Sequence, residues 1–124
     1  MAVLPRFAHI TPAVVRPCRE PGEVAQAIKE ARHQGLELAV RSGGHCFAGR
    51  SSTTGLLIDV GPMNEIEVAG ARATIGAGAN LGTIYDALAA HGRTIAGGCG
   101  PDVGIAGLAL GGGLGVLGRK YGLT

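Results

Sequence analysis

Apolar positions along this chain fall into two rhythms. Between residues 20 and 34, Val24, Ala27, Ile28 and Ala31 recur at the 3.6-residue spacing of an amphipathic helix. Pro21 suits the first turn of that helix and Gly35 its C-terminal stop. A second helix is predicted over residues 81–91, with Leu81, Ile84, Tyr85 and Leu88 as its stripe, Asn80 as its N-cap and Gly92 as its end. The remaining apolar runs are short and strand-like: residues 13–18, 36–41 and 55–60, and a hairpin of 65–69 with 72–76 around Gly70-Ala71. Residues 94–96 read as a further short strand, residues 105–110 as a buried one, and residues 1–12 as a loose arm. Strand 13–18, helix 20–34 and strand 36–41 make a βαβ-like unit. The whole order predicts an α+β fold, with mixed sheets packed with helices and segments of parallel pairing.

Composition narrows the class. A chain of 124 residues holds one domain at most. Its apolar fraction of 46% against 16% charged residues is that of a chain able to fold, not of a disordered one. Aromatic residues are scarce and Trp is absent, so the core must come from Ala, Val, Ile and Leu. Net charge is +2 with no basic stripe, which argues against nucleic acid. The longest uncharged run, residues 103–118, is 16 residues with seven glycines, too short and too glycine-laden for a membrane span. No signal peptide is visible, which makes the cytoplasm the expected location. Cys18, Cys46 and Cys99 are odd in number and lack CxxC spacing, so neither a disulfide framework nor a zinc knuckle is expected. Cys18 reads as a core residue. His9, His33, His45 and His91 are too dispersed for a metal site. His33 and His91 sit near predicted helix C-termini, where a cation is mildly favourable.

The candidate chemistry lies in two glycine-rich segments. In Arg41-Ser42-Gly43-Gly44-His45 the chain leaves a predicted strand into a turn. Gly43 and Gly44 let backbone N–H groups approach a ligand with no Cβ in the way, and consecutive N–H groups in such a turn form an anion-binding concavity. His45 adds a nucleophilic nitrogen, although a histidine in this position, taken alone, also fits a surface turn. A second glycine-rich stretch spans residues 97–118. Together they suggest a cradle for a large phosphorylated cofactor. There is no GxxxxGK[ST] P-loop. Gly113, Gly115 and Gly118 match GxGxxG, a pattern that so many glycines meet by chance. A dinucleotide-binding Rossmann unit also needs an acidic residue about 20 positions on, and the 124 residues end before that position.

Arg41-Ser42-Gly43-Gly44-His45 resembles the flavin-attachment signature of the FAD-linked oxidases of the vanillyl-alcohol oxidase/p-cresol methylhydroxylase superfamily, in particular its berberine bridge enzyme-like branch. Residues 104–115, with Gly104, Gly107, Gly111, Gly112 and Gly113, resemble that branch's second signature, and residues 17–24 its strand-to-helix entry. The resemblance runs over residues 13–124 and implies the N-terminal portion of a PCMH-type FAD-binding domain, without its substrate domain. It implies that residues 41–45 wrap the FAD pyrophosphate and that His45 is bonded to the flavin 8α-methyl. In that branch a cysteine in Cys-Pro-x-Val-Gly makes a second bond, to flavin C6. Here Cys99-Gly100-Pro101-Asp102-Val103-Gly104 is one residue longer, so Cys99 is either that second link or an unreactive thiol near the flavin. Cys46 stands where a serine is common and is expected to be packed. Val103, just before Gly104, falls at the position described in the branch as an oxygen gate, where Val goes with oxidases. The resemblance implies hydride transfer from an alcohol, sugar or alkaloid-like substrate to flavin N5, followed by reoxidation by O2. No catalytic acid or base and no oligomeric state can be named, and the 124 residues alone are expected to be inactive. The abrupt end after the glycine-rich run is expected of a fragment of a longer protein. The competing readings are a truncated, non-enzymatic flavin-binding fragment and a Rossmann-like dinucleotide binder.

Overall fold

The computed structural model describes residues 3–124. Five strands and four helices follow in order: β1 Val14–Pro17, α1 Pro21–Gln34, β2 Leu38–Arg41, β3 Leu56–Asp59, β4 Ile66–Ala69, β5 Arg72–Ile75, α2 Leu81–Ala89, α3 Ile105–Gly111 and α4 Gly118–Tyr121. The α+β expectation holds. β1, β3 and β2 form a parallel sheet in that spatial order, and β4 pairs with β5 as an antiparallel hairpin.

The βαβ-like unit is present, but β3 is inserted between its two strands. The reason lies in the side chains. Leu56, Leu57 and Ile58 are all buried, so β3 is apolar on both faces and takes the central place. Leu38 and Val40 of β2 and Val15 of β1 are partly exposed, as befits edge strands. Leu56 and Ile58 pack with Ala27 and Ala31 of α1, with Cys18 in the same cluster, as expected for a core cysteine. Small alanines on the buried stripe let α1 lie close to the sheet. Gly35 ends the helix in the left-handed region, φ 64°, its N–H turned back to the carbonyls of Ala31 and Arg32.

A second cluster joins α2 to the hairpin: Ala79, Leu81, Ile84 and Leu88 pack against Ile66, Val68 and Ile75. Asn80 caps α2 as its sequence predicts, its Oδ1 accepting the Thr83 backbone N–H at 3.0 Å and the Thr83 hydroxyl at 2.9 Å. Asn80→Ala is expected to cost about 1 kcal/mol, read as a lower urea midpoint at unchanged slope.

Three local expectations change. Residues 105–110 are helical, not a buried strand. Ile105 and Leu108, three apart, both pack on the α2 cluster, while Gly107 and Gly111, one turn apart, face open space. A short apolar run carries no period strong enough to separate the two conformations; its neighbours decided. Residues 94–96 form no strand, although Ile95 does reach the α2 cluster. The arm is not loose where it is described: Pro5–Phe7 form a 3-10 turn. Its first two residues lie outside the described range.

Candidate cofactor site

The parallel strands of the sheet deliver the chain to one crevice. β2 ends at Arg41, and residues 42–55 cross to β3 as an irregular loop. Crevices beyond the carboxyl ends of parallel strands are where such sheets bind ligands. Here that crevice is a cavity of about 600 Å³, within the range of small-molecule sites. Val40 and Val60 line it from the sheet, Ser42 to Phe47 from the loop, and Val103 to Gly113 from the second glycine-rich segment.

The two glycine segments meet backbone against backbone. A Cβ on Gly43 would stand 2.3 Å from the Gly104 nitrogen, and one on Gly104 only 2.1 Å from Ser42 Oγ. No other residue permits that approach. Ser42 Oγ donates to the Ala77 carbonyl at 2.8 Å, which fixes the first segment. An antiparallel bridge between Asn80 and Gly104 fixes the second: Leu81 N–H donates to Val103 O and Ile105 N–H to Ala79 O. Gly107 and Gly111 present a bare helix face, since a Cβ at either would meet nothing within 4 Å. Gly44, buried with φ 76°, turns the chain so that His45 emerges exposed at the cavity.

Ser42, Gly43, Gly44, His45, Val103, Gly104, Gly107, Gly111, Gly112 and Gly113 thus share one cavity. Arg41 and Cys99 do not line it. The Arg41 guanidinium is buried and donates from Nε to Ser51 O at 2.9 Å and from Nη2 to Ser52 Oγ at 3.3 Å. Its work is to pull the far end of the loop onto the strand. Cys99 is exposed and opens instead on a second cavity of about 360 Å³, beside Tyr85 and Ile95. The Tyr85 hydroxyl donates to Gly98 O at 2.5 Å, and burial pushes its pKa up, with the Cys99 charge adding to the effect.

Cys46, expected to be packed, is only half-buried and lines the main cavity. Burial pushes its thiol up, but the backbone N–H groups of Arg50, Ala48 and Ser51 and the Arg50 charge outweigh that, so its pKa falls below the ordinary thiol value. Cys18, in the core, is raised by burial and by the charges of Glu23 and Asp59. The lining also includes Phe47 and Ser51, which sequence reasoning did not select. Ser51 Oγ is buried with no hydrogen-bond partner. Its position follows from the Arg41 contact, which no local pattern reveals.

Gly113 and Gly115 of the GxGxxG match have a packing reason. A Cβ on Gly115 would lie 1.7 Å from Gly97 O, and one on Gly113 2.5 Å from Leu108. The element before them is a helix, whereas a Rossmann fingerprint follows a strand. Among the described residues there is no group of three or more His, Cys, Asp or Glu able to hold a metal, and no helix long and apolar enough to cross a membrane.

A cavity walled by bare glycine backbone at the end of a parallel sheet, with an imidazole at its side, belongs to a domain that cradles a large phosphorylated cofactor. Residues 12–124 match the family described as FAD binding domain, and the chain belongs to that family. It is 41% identical over 116 residues to (R)-6-hydroxynicotine oxidase of Paenarthrobacter nicotinovorans, an alignment covering 91% of this chain and 25% of that protein. It is 37% identical over 101 residues to berberine bridge enzyme-like 17 of Arabidopsis thaliana, covering 76% of this chain and 19% of that protein. The crystal structure of 6-hydroxy-D-nicotine oxidase from Arthrobacter nicotinovorans superimposes with a TM-score of 0.88 at 38% identity, over 94% of this chain and 27% of that one. The fold is that of a PCMH-type FAD-binding domain, and FAD is the cofactor of its family. The chain spans about a quarter or less of the length of these curated relatives.

Proposed function

We propose that residues 12–124 form one wall of the FAD site of a flavin-dependent oxidase, with the cofactor joined covalently to His45. The observation that carries this reading is the single cavity in which His45 and both glycine segments meet. The residues present fit the cofactor. Gly43 and Gly44 offer backbone without side chains, Gly107 and Gly111 leave a face that any Cβ would fill, and Ser51 Oγ is a buried polar atom with no partner in the protein. Arg41 shapes this wall through Ser51 and Ser52 rather than touching the cofactor. Cys99, on the other cavity, is assigned no bond to it.

When bound, the flavin supplies the redox chemistry, accepting a hydride at N5 from a C–H of an alcohol, sugar or alkaloid-like substrate. The chain's own residues bind and orient it. Attachment joins an imidazole nitrogen of His45 to the 8α carbon. His45 would thus hold the flavin through its imidazole nitrogen, while Gly43, Gly44, Gly107 and Gly111 would give it backbone to lie against.

Val103 lines the cavity and also packs on the α2 cluster, so volume added there has only the cavity to enter. In the complete, flavin-loaded enzyme, substrate domain included, Val103→Leu is expected to leave reduction by substrate nearly unchanged. Reoxidation by O2 should slow at least about tenfold, a barrier increase of ~1.4 kcal/mol. Stopped-flow absorbance at the flavin band reads both half-reactions. Equal reoxidation rates in the two proteins remove Val103 from the oxygen path, and a colourless protein that binds no FAD removes the reading altogether.

A further inference from the structure

The loop that carries His45 is gripped from outside the family-matched segment. That segment starts at residue 12, whereas the 3-10 turn Pro5–Phe7 precedes it. Arg6 Nη2 donates to the carbonyl oxygen of Phe47. The same guanidinium lies over two rings, 4.8 Å from the centroid of Phe7 and 5.8 Å from that of Phe47, within the range of cation–π attraction. Gly49, at φ 75°, leaves the place of a side chain to Phe7: a Cβ there would come within 2.8 Å of Phe7 Cε1. The arm therefore touches the loop at residues 47 and 49, while Arg41 holds it at 51 and 52. Between them the loop's own contacts are short-range: Gly49 N–H to Cys46 O at 3.1 Å, Ser52 N–H to Gly49 O at 3.0 Å, and the backbone N–H groups of Ala48, Arg50 and Ser51 turned toward the Cys46 sulfur.

We propose that Arg6 and Phe7 are positioning residues that hold the loop of residues 45–50 so that the His45 imidazole is presented to the flavin during covalent attachment. This rests on the His45 reading above. Forming the bond from imidazole nitrogen to the 8α carbon breaks one C–H and one N–H bond, and the two protons and one electron pair released pass through the ring to O2, giving hydrogen peroxide; this requires the nitrogen within bonding approach of one carbon. Displacement of a reacting group by about 1 Å can cost roughly 100-fold in rate. Non-covalent binding asks less of the arm, because Gly43, Gly44, Gly107 and Gly111 are set by other contacts. The arm should govern the rate of attachment and not the affinity for FAD.

The test uses protein expressed under riboflavin limitation and then given FAD. Covalent incorporation is followed by flavin fluorescence of the acid-precipitated polypeptide, and non-covalent affinity by titration on ice before attachment proceeds. Arg6→Met is expected to slow attachment at least about tenfold while affinity stays within about twofold, and Arg6→Lys, which keeps a cation and a donor, to recover a substantial part of the rate. Phe7→Ala should slow attachment too, and combining it with Arg6→Met should add less than the sum of the two, because the Arg6 guanidinium also lies over the Phe7 ring and the two contacts hold the same arm to the same loop. Should Arg6→Met not accumulate as folded protein, Arg6→Lys and Phe7→Leu carry the comparison, each slowing attachment at least about twofold. Attachment at the unmodified rate in the folded variants overturns the role of the arm alone. Absence of covalent flavin from the unmodified protein overturns the His45 reading, and the arm's role with it.

Discussion

Replacing His45 with alanine is expected to abolish covalent flavin and leave FAD bound non-covalently. His45 is exposed and belongs to neither core cluster, so its removal opens no void. Stability should stay within about 0.5 kcal/mol, as for surface substitutions elsewhere. The cradle that faces the cofactor is mostly backbone, at Gly43, Gly44 and the second glycine segment, and survives the change. Affinity for FAD should fall by no more than about tenfold, or ~1.4 kcal/mol. Acid precipitation of the unmodified protein should leave flavin on the polypeptide, and peptide mapping should place the added mass on the segment containing His45. From His45→Ala all flavin should be released. Covalent flavin persisting in that variant would move the attachment to another side chain, and mapping would tell the cavity-lining Cys46 from Cys99, which opens elsewhere.

The second large effect separates two glycines three residues apart. Gly104→Ala places a Cβ 2.1 Å from Ser42 Oγ and 2.3 Å from the Gly43 nitrogen. The hydroxyl could turn away, but the backbone nitrogen cannot, so the two segments must part. Overpacking of this kind costs about 1–3 kcal/mol or more. Because the segments form the two sides of one cavity, parting them should lower FAD affinity at least about 100-fold. Gly107→Ala is the contrast. Its Cβ meets nothing within 4 Å, and alanine in a helix is favoured over glycine by about 0.5–1 kcal/mol. The variant should be as stable as the parent or slightly more so, yet bind FAD more weakly if the cofactor lies as proposed, because the methyl group projects into the cavity that Gly107 lines. Paired melting curves and FAD titrations check both. If Gly104→Ala and Gly107→Ala lowered stability and affinity in the same proportion, the bare helix face would lose its binding role.

Much of the framework was legible residue by residue. The stripe Val24, Ala27, Ile28 and Ala31 between Pro21 and Gly35 specifies α1 almost to its ends. Asn80 announces the start of α2, and Gly70 the hairpin turn, at φ 61°. The site was legible where a short contiguous segment builds it. Gly43, Gly44 and His45 follow a strand directly, and a glycine pair after a strand has few uses other than close approach. Residues 105–110 were not legible, because five apolar residues and a glycine satisfy a strand or a helix equally until Ile105 and Leu108 find the α2 cluster. The partners of the Arg41 side chain were not legible for the same kind of reason: its guanidinium reaches Ser51 and Ser52, ten and eleven residues on.

The sequence by itself determined what depends on local period and on residues adjacent in the chain: the main helices and strands, the α+β class, the two glycine segments and the imidazole placed beside the first. Tertiary structure alone decided what depends on residues far apart. It placed β3 between β1 and β2, because only β3 is apolar on both faces and its cover comes from elsewhere in the chain. It brought Gly43 against Gly104, sixty-one residues apart, through contacts that no periodicity encodes. It set Cys99 on a different cavity from His45 and gave the N-terminal arm its grip on Phe47, since direction and distance between separate segments exist only once the core has packed.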